Sequence, residues 1–351
     1  MTARWRLLDL PPMTAAENMA LDEVLLEIRG QGRSTDTLRF LQFSPAAALV
    51  GFHQSVQEEI RLDYCRAQGI EVNRRITGGG GLLFDESQIG WEVICAKEFF
   101  GVRIPNAALF RRMCEPTVTA LRALGLDAAF RPRNDIEVAG RKITGTGGTE
   151  SDSAFMFQGT LLVDFDVETM LKCLRVPVEK LKAKEIDSIK KRVTCLAWEL
   201  GCVPQTAEVK ERLAEAFARH FDIEFTPGGL TAEEEDLLAA RLPHFRSPEW
   251  IDMVRPTYEK TEVVQGARKS PYGLVRVTLH TGRTHQIRVQ FASRKHPLAG
   301  DGKYGSRVKG SIALQSCGLR FVHPDTGRPM AFSLPLPEGS AWEPFAQERN
   351  G

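Results

Sequence analysis

Arg133 to Gly145, RNDIEVAGRKITG, is the stretch that decides how this chain reads. Ile136 and Val138 before Ala139-Gly140, and Ile143 after it, give a period of two on either side of a tight turn, the pattern of a half-buried β-hairpin. Gly140 supplies the positive φ that such a turn needs. Lys142 then stands just beyond the turn, where a strand fixes its ammonium in a position suited to meeting an anion.

Upstream lies RRITGGGG, Arg74 to Gly81. Its glycines leave the backbone free of Cβ atoms, so a ligand can approach closely and N–H groups can converge on an anion. Taken singly, a Gly run also reads as a mobile loop and a GRK turn as a solvated hairpin. Together, two cationic clusters and a Gly run point to one acidic ligand.

The rest of the first 251 residues supplies a frame. Thr14, with Glu17 three residues on, caps a helix over 13–29 that carries Met19, Leu21, Val24, Leu25 and Ile28. Strand-like runs follow at Leu38 to Phe43, Ala48 to Phe52, Leu82 to Phe84, Trp91 to Cys95 and Gly159 to Phe165. Helical spacing returns over Asn106 to Leu124 and Glu208 to Phe221, and again over Thr231 to Ala240, which opens with a capping sequence. Pro243 to Pro248 reads as a linker. Strands and helices without strict alternation predict an α+β fold, not a doubly wound sheet.

Composition bounds the classes. A chain of 351 residues, 42% hydrophobic and 26% charged, suits a soluble two-domain protein. No apolar run reaches the ~18 residues of a membrane helix, and no charged-then-apolar leader opens the chain. The expectation is a cytoplasmic protein with no membrane partner. Seven cysteines without CxxC spacing argue against a disulfide framework or a zinc site. The net charge of +1 hides a split: residues 252–351 hold 15 basic against 8 acidic side chains, whereas 1–251 hold 31 against 37. Two segments so different suggest different partners.

RRITGGGG with the following FDES, RNDIEVAGRKITG, FQGTLL at Phe157 to Leu162 and KLKAKEIDSIKKRVTCL at Lys180 to Leu196 together resemble the lipoate-protein ligase family. AENMALDEVLL, Ala16 to Leu26, and RFLQFSPAAALVGFHQ, Arg39 to Gln54, fit it as well, so the resemblance spans about residues 5–250. It implies a biotin/lipoate ligase-like mixed sheet with flanking helices over 1–251. The implied activity is ATP-dependent conversion of lipoate, or octanoate, to acyl-AMP, then transfer to a lysine of a lipoyl carrier protein.

A carboxylate does not acylate an amine in water, because its oxygen leaves poorly. Adenylation solves this, but presses two anions together, and cations with aimed N–H groups must offset the repulsion. By resemblance, Lys142 is the catalytic residue for that task. Arg75, Thr77, Gly78, Gly79 and Gly80 would bind the acyl substrate. Asn134, Asp135, Thr144 and Gly145 would handle the nucleotide, with Asp135 a candidate Mg²⁺ ligand, because hard cations choose carboxylate oxygen. Asn-Asp also reads simply as a turn cap. Candidate acceptors are the glycine-cleavage H protein and the lipoyl domains of 2-oxoacid dehydrogenases.

The chain departs from that pattern in places. Phe84 and Gln158 stand where many relatives have His. Ligases of this kind commonly need a small accessory domain, or a separate companion chain, for adenylation, and here the accessory position is taken by the C-terminal segment of different texture. A cysteine-dependent octanoyltransferase of the same fold is the nearest rival; those enzymes place a nucleophilic Cys just before the strand of the Asn134 region, where this chain has Ala128, Ala129 and Phe130.

From about Val254 the texture changes to strands and turns. Val275, Val277 and Leu279, then Ile287, Val289 and Phe291, keep a period of two. LVRVTLHTGRTHQIRVQFASRKHPLAGDGKYG, Leu274 to Gly305, and LRFVHPDTGRPMAFSLPLP, Leu319 to Pro337, resemble the C-terminal half of RluA-type RNA pseudouridine synthases over about 254–349. That implies a smaller, mostly β domain over 252–351, in which Arg283, His285 and Arg288 are RNA-binding candidates on a basic strand edge. The catalytic aspartate of that family belongs to a half that is missing here; the Arg-Leu-Asp triplet at Arg61 to Asp63 lies inside the ligase-like part. Uridine isomerisation by this chain alone is not expected. An RNA-binding protein with a passive ligase scaffold, and an accidental join of two reading frames, are both open readings.

Overall fold

The structure is a computed structural model that describes residues 2–101, 107–132, 134–151, 153–175, 183–254, 264–269, 272–277, 286–293, 296–323, 327–338, 342–343 and 345. The chain divides into two compact units, Met1–Pro256 and Thr257–Gly351.

In the first unit the strands are β1 (Ala3–Asp9), β2 (Thr37–Leu41), β3 (Ala47–Val50), β4 (Glu71–Arg74), β5 (Leu82–Phe84), β6 (Ile89–Ala96), β7 (Ala128–Arg131), β8 (Asp135–Val138), β9 (Arg141–Glu150), β10 (Ala154–Leu161) and β11 (Ile223–Gly228). The helices are α1 (Ala15–Gly30), α2 (Val56–Glu59), α3 (Leu62–Ala67), α4 (Ala107–Ala123), α5 (Val167–Cys173), α6 (Ala183–Lys190), α7 (Leu196–Leu200), α8 (Thr206–Phe221), α9 (Ala232–Phe245) and α10 (Pro248–Ile251). Eight strands form one sheet in the order β11-β1-β2-β6-β10-β9-β8-β7, parallel at β11-β1-β2 and antiparallel from there on. A second sheet, β4-β3-β5, carries the Gly run in the connection from β4 to β5. This is the expected α+β mixed sheet.

Alternation along β6 and β10 assigns the two faces. Ile89, Trp91, Val93, Phe157 and Leu161 join the large core under α4 and α8. Ile94 and Met156 turn the other way and pack with Leu21 and Leu25 of α1. Between them on the α1 face lie Glu92 and Gln158, polar residues in an otherwise apolar layer. α1 itself starts as its sequence predicts, with Thr14 and Glu17 closing a reciprocal capping box.

The proposed linker at Pro243 to Pro248 is corrected by the structure. Pro243 lies in the last turns of α9, and Ser247 caps α10 with Pro248 in its first turn, where the missing N–H costs nothing. Arg74, buried, ties this segment to the loop after β3: its guanidinium donates to the carbonyls of Gly51, Phe52 and Gln54 and to those of Trp250 and Ile251.

In the second unit, β12 (Val264–Lys269) pairs with β13 (Tyr272–Arg276), and β14 (Gly318–Val322) with β15 (Pro329–Ser333). The strand expected through Ile287, Val289 and Phe291 is a helix, α11 (Gln286–Ser293). Residues 287 and 291 are also neighbours at i,i+4, so so short a run satisfies both periods.

Candidate functional site

The hairpin of β8 and β9 turns at Ala139 and Gly140, with φ of 48° and 75°. Two left-handed residues in succession are what a two-residue turn of the right twist requires. The register then slips: Ile136 faces Thr144, whereas Glu137 faces Lys142, so Ile143 is an extra residue in β9. Without this bulge Lys142 would lie on the face of Val138, in the core, and Ile143 on the open face, because a one-residue shift exchanges the faces of a strand. The bulge lets Ile143 stay fully buried and brings Lys142 to the side of Asp135.

Lys142 Nζ lies 2.6 Å from Asp135 Oδ1, an ion pair whose geometry is not that of a directed hydrogen bond. Its stem crosses Gly145: a Cβ at that position would stand 3.0 Å from Cε and 2.9 Å from Nζ. The backbone of Lys142 is held from the far side, its N–H donating to Arg192 O and its carbonyl accepting from Thr194 N, both at 2.8 Å. Glu199 locks the same corner by accepting from Arg141 at 2.7 Å and from the Thr194 hydroxyl.

The Gly run reaches this strand. Gly78 O lies 3.8 Å from where a Cβ of Gly147 would be, two residues along the face that Gly145 shares with Lys142. Arg75 is buried and donates to Leu49 O at 3.2 Å, Gly80 O at 2.9 Å and Gly78 O at 3.4 Å. Burial pushes its guanidinium down to about 10, against the pull of Asp22. Because peptide units are trans and planar, carbonyls turned to Arg75 direct the N–H groups of Gly79 and Gly81 the opposite way. Arg75 thus shapes the loop from within.

Thr77, also buried, donates its hydroxyl to Gln158 Oε1. Gln158 Nε2 donates to Glu92 Oε1 at 2.7 Å, and Glu92 Oε2 receives Arg39 Nη1 at 3.0 Å. Arg39 also binds Asp22 at 2.7 Å and the Asn18 side chain. Arg39, Glu92, Gln158 and Gly147 stand at one register across β2, β6, β10 and β9. Burial first, then the charge of Glu92, raises the Asp22 carboxyl well above the usual range despite Arg39. Sequence reading missed this line of side chains. AENMALDEVLL and RFLQFS contain Asn18, Asp22 and Arg39, but polar residues on an amphipathic helix or strand read as solvated, and only the register reveals them as partners.

Of the remaining candidates, Asn134 donates Nδ2 to Thr146 O and accepts at its own carbonyl from Thr146, which pins the start of β8 to β9. Thr144, fully buried, stands opposite Ile136 and Leu161 and shares their face toward the α4 core. Phe84 packs against Phe43, with ring centroids 4.7 Å apart and planes tilted by 45°. Among the described residues no group of three or more His, Cys, Asp or Glu could hold a metal ion on protein ligands alone. In the second unit, Arg283 and His285 lie outside the described residues. Arg288 is on a helix, not a strand edge, and grips the buried Asp301 with two hydrogen bonds of 2.7 and 2.8 Å, over Tyr304.

All seven cysteines are free. Burial pushes Cys114 up to about 12 and Cys195 up to about 11, and raises Cys95 well above the thiol range.

Residues 14–218 match the sequence profile of the family described as lipoyl protein ligase A/B catalytic domain. This chain belongs to that family. A second profile, RNA pseudouridylate synthase, matches residues 210–293 and so begins within α8. The chain is 31% identical to an octanoyltransferase LipM from Symbiobacterium thermophilum, over 67% of this chain and 93% of that one. It is 30% identical to a lipoate-protein ligase A subunit 1 from Thermoplasma acidophilum, over 68% and 91%. Among solved structures, a bi-partite lipoate protein ligase from Thermoplasma acidophilum, described with its E2 lipoyl domain, superposes with a TM-score of 0.65 at 28% identity, covering 73% of this chain and 98% of that one. A lipoate-protein ligase A bound with ATP gives 0.62 at 26%, covering 72% and 100%. Among the described residues no helix is long and apolar enough to cross a membrane.

Proposed function

We propose that this chain converts lipoate or octanoate to its acyl-adenylate with ATP and transfers the acyl group to a lysine of a lipoyl carrier protein. The observation that carries the reading is Lys142, held through both backbone groups and laid across Gly145 beside the Gly run. An ammonium so fixed offsets the repulsion between acid and phosphate oxygens without reorganising during the reaction. It also polarises the acyl carbonyl while the carrier amine attacks. N–H groups of the Gly run would take the remaining anionic oxygens, and Asn134 and Asp135 would face the nucleotide at the start of β8.

Asp135 would hold Mg²⁺ together with substrate phosphates, the usual way this ion is bound. When bound, the ion neutralises phosphate charge. The ATP-bound structural relative supports ATP as the nucleotide. The E2 lipoyl domain described with another supports lipoyl domains as acceptors, beside the glycine-cleavage H protein. Free thiols throughout fit a reducing, cytoplasmic setting.

The second reading, transfer without ATP, is favoured by the octanoyltransferase names among the relatives. A thioester route needs an accessible thiolate. β7 carries Ala128 and Ala129 instead, and Cys114 and Cys195, the thiols nearest in sequence to the Lys142 corner and its α4 cover, are buried and held protonated. Incubation of the full chain with carrier protein and octanoate, with and without ATP, separates the two. AMP release coupled to acylation supports the ligase; acylation only from an acyl thioester donor supports the transferase.

A further inference from the structure

α9 and α10 lie past residue 218, where the catalytic-domain profile ends, and yet they are stitched to the strand that leads into the Gly run. Arg74 is the joint. Its Nε donates to Trp250 O at 3.1 Å and Nη2 to Ile251 O at 2.8 Å, while Nη1 reaches Gly51 O, Phe52 O and Gln54 O at 3.1, 2.9 and 2.6 Å. Ile251 O, at the end of α10, is among the carbonyls that a helix leaves without an internal partner. Trp250 returns the contact, its indole N–H donating to Arg74 O at 3.2 Å, and Asn73 Nδ2 donates to Phe245 O at 2.9 Å. Gln57 adds a donation to Asp252 at 2.8 Å. Arg74 is fully buried and these five acceptors are neutral carbonyls; burial pushes its guanidinium down to about 10, against the pull of Asp252. A cation so placed is costly. What it supplies that an apolar side chain does not is geometry, a rigid planar fork that sets two chain segments at fixed distances.

One of those segments sets the Gly run. Phe52 N donates to Thr77 O, and Arg75 N to Val50 O, both at 2.9 Å, so the loop after β3 pairs with the start of the run. Gly51 then meets Gly79 backbone to backbone: a Cβ on Gly51 would stand 2.2 Å from Gly79 O and 3.0 Å from Gly79 N. Gly79 has a φ of 111°, a conformation that glycine alone adopts readily, and no side chain through which its surroundings could steer it. Arg75 holds the carbonyls of Gly78 and Gly80 from within, and Gly51 bears on Gly79 between them from without.

We propose that Arg74, Trp250 and Gly51 are positioning residues: α10, through Arg74, holds the loop after β3 against Gly79 and so fixes the Gly-run N–H groups that bind the acyl-adenylate. This rests on the acyl-adenylate reading above and gives α10, outside the catalytic-domain profile, a part in it. The effect is geometric. A shift of Gly79 turns the peptide planes on either side of it, and N–H groups aimed at anionic oxygens lose their aim. Ordinary carbon–oxygen contact is about 3.3–3.6 Å, so a methyl on Gly51 forces Gly79 back by about 1 Å. Loosening Arg74 or Trp250 frees the same loop without adding an atom to it.

The test uses the full chain and a non-hydrolysable octanoyl-adenylate analogue, titrated calorimetrically for both dissociation constant and stoichiometry, beside single-turnover acyl-AMP formation and a thermal melt. Gly51→Ala, Trp250→Phe, Arg74→Lys and the Gly51→Ala/Trp250→Phe double variant are compared. Lysine keeps the charge of Arg74 but offers one nitrogen in place of three, so it cannot serve both segments. A merely structural role lowers the melting temperature and the fraction of chains that bind, and leaves the affinity of the rest unchanged. The proposal expects full stoichiometry with weaker binding, about tenfold or more for Gly51→Ala and Arg74→Lys and about threefold or more for Trp250→Phe, with acyl-AMP formation falling in step. In the double variant the Trp250→Phe effect is absorbed, because both substitutions act on Gly79. Should Arg74→Lys fail to fold, Gly51→Ala and Trp250→Phe decide alone. Wild-type affinity in Trp250→Phe or Gly51→Ala, reduced stoichiometry at unchanged affinity, or additive effects in the double variant overturn the proposal while wild-type activity stands. A wild-type chain that neither binds the analogue nor forms acyl-AMP overturns the acyl-adenylate reading itself, and the proposal with it.

Discussion

Replacing Gly145 by alanine separates the placement of Lys142 from the stability of the fold. The added methyl would meet two atoms within 4 Å, Lys142 Nζ at 2.9 Å and Cε at 3.0 Å, both at the mobile end of a side chain. Ordinary contact between such atoms is about 3.5–4.0 Å, so the ammonium must move by roughly 0.5–1 Å. Gly145 does not lie in the left-handed region, and a glycine replaced by alanine at a compatible position gains about 0.4–1 kcal/mol through the unfolded chain. The variant should therefore unfold at the same temperature as the wild type or slightly higher. Its chemistry should suffer, because a displacement near 1 Å at a reacting centre costs on the order of 100-fold. Single-turnover acyl-AMP formation, read beside a thermal melt, measures both. A G145A rate within about threefold of wild type would refute the claim that this lysine must lie across the bare strand, and a lowered melting temperature would refute the packing argument.

Lys142→Ala should abolish acyl-AMP formation and leave the melting temperature within a few degrees, as followed by AMP release and circular dichroism. The thiols should be dispensable: C114S with C195S is expected to keep acylation within about threefold. Treatment with iodoacetamide at neutral pH, which reaches the exposed Cys202, should not inhibit, because a thiol raised to about 11 or 12 stays protonated until the pH approaches that value. Loss of activity on alkylation, with a mapped adduct on Cys114 or Cys195, would favour the transferase route.

The hairpin could be read from sequence because Ile136, Val138 and Ile143 mark its buried side and Ala139-Gly140 mark its turn. The bulge could not. Only the pairing of Glu137 with Lys142 reveals that Ile143 and Lys142 both satisfy their environments by slipping one residue. β4 and β7, four residues each, are too short to show a period against their neighbours. The proline pair at 243 and 248 suggested a linker, yet a proline late in one helix and another opening the next are both compatible with helix. The tasks of Arg75 and Thr77 depend on partners outside the Gly run. Leu49 and Gln158 lie on other strands, and no local pattern links a polar residue of β10 to a buried arginine of β2, two strands away. Arg288 illustrates the same limit: its charge suggested phosphate, whereas Asp301 thirteen residues on takes both ends of its guanidinium.

The most direct measurement is a crystal structure of the full chain with a non-hydrolysable octanoyl-adenylate analogue. The account predicts that Lys142 Nζ leaves its contact with Asp135 to lie within hydrogen-bond distance of both an acyl and a phosphate oxygen, above Gly145. An analogue bound with that ammonium still paired to Asp135 and remote from the acyl-phosphate linkage would contradict it.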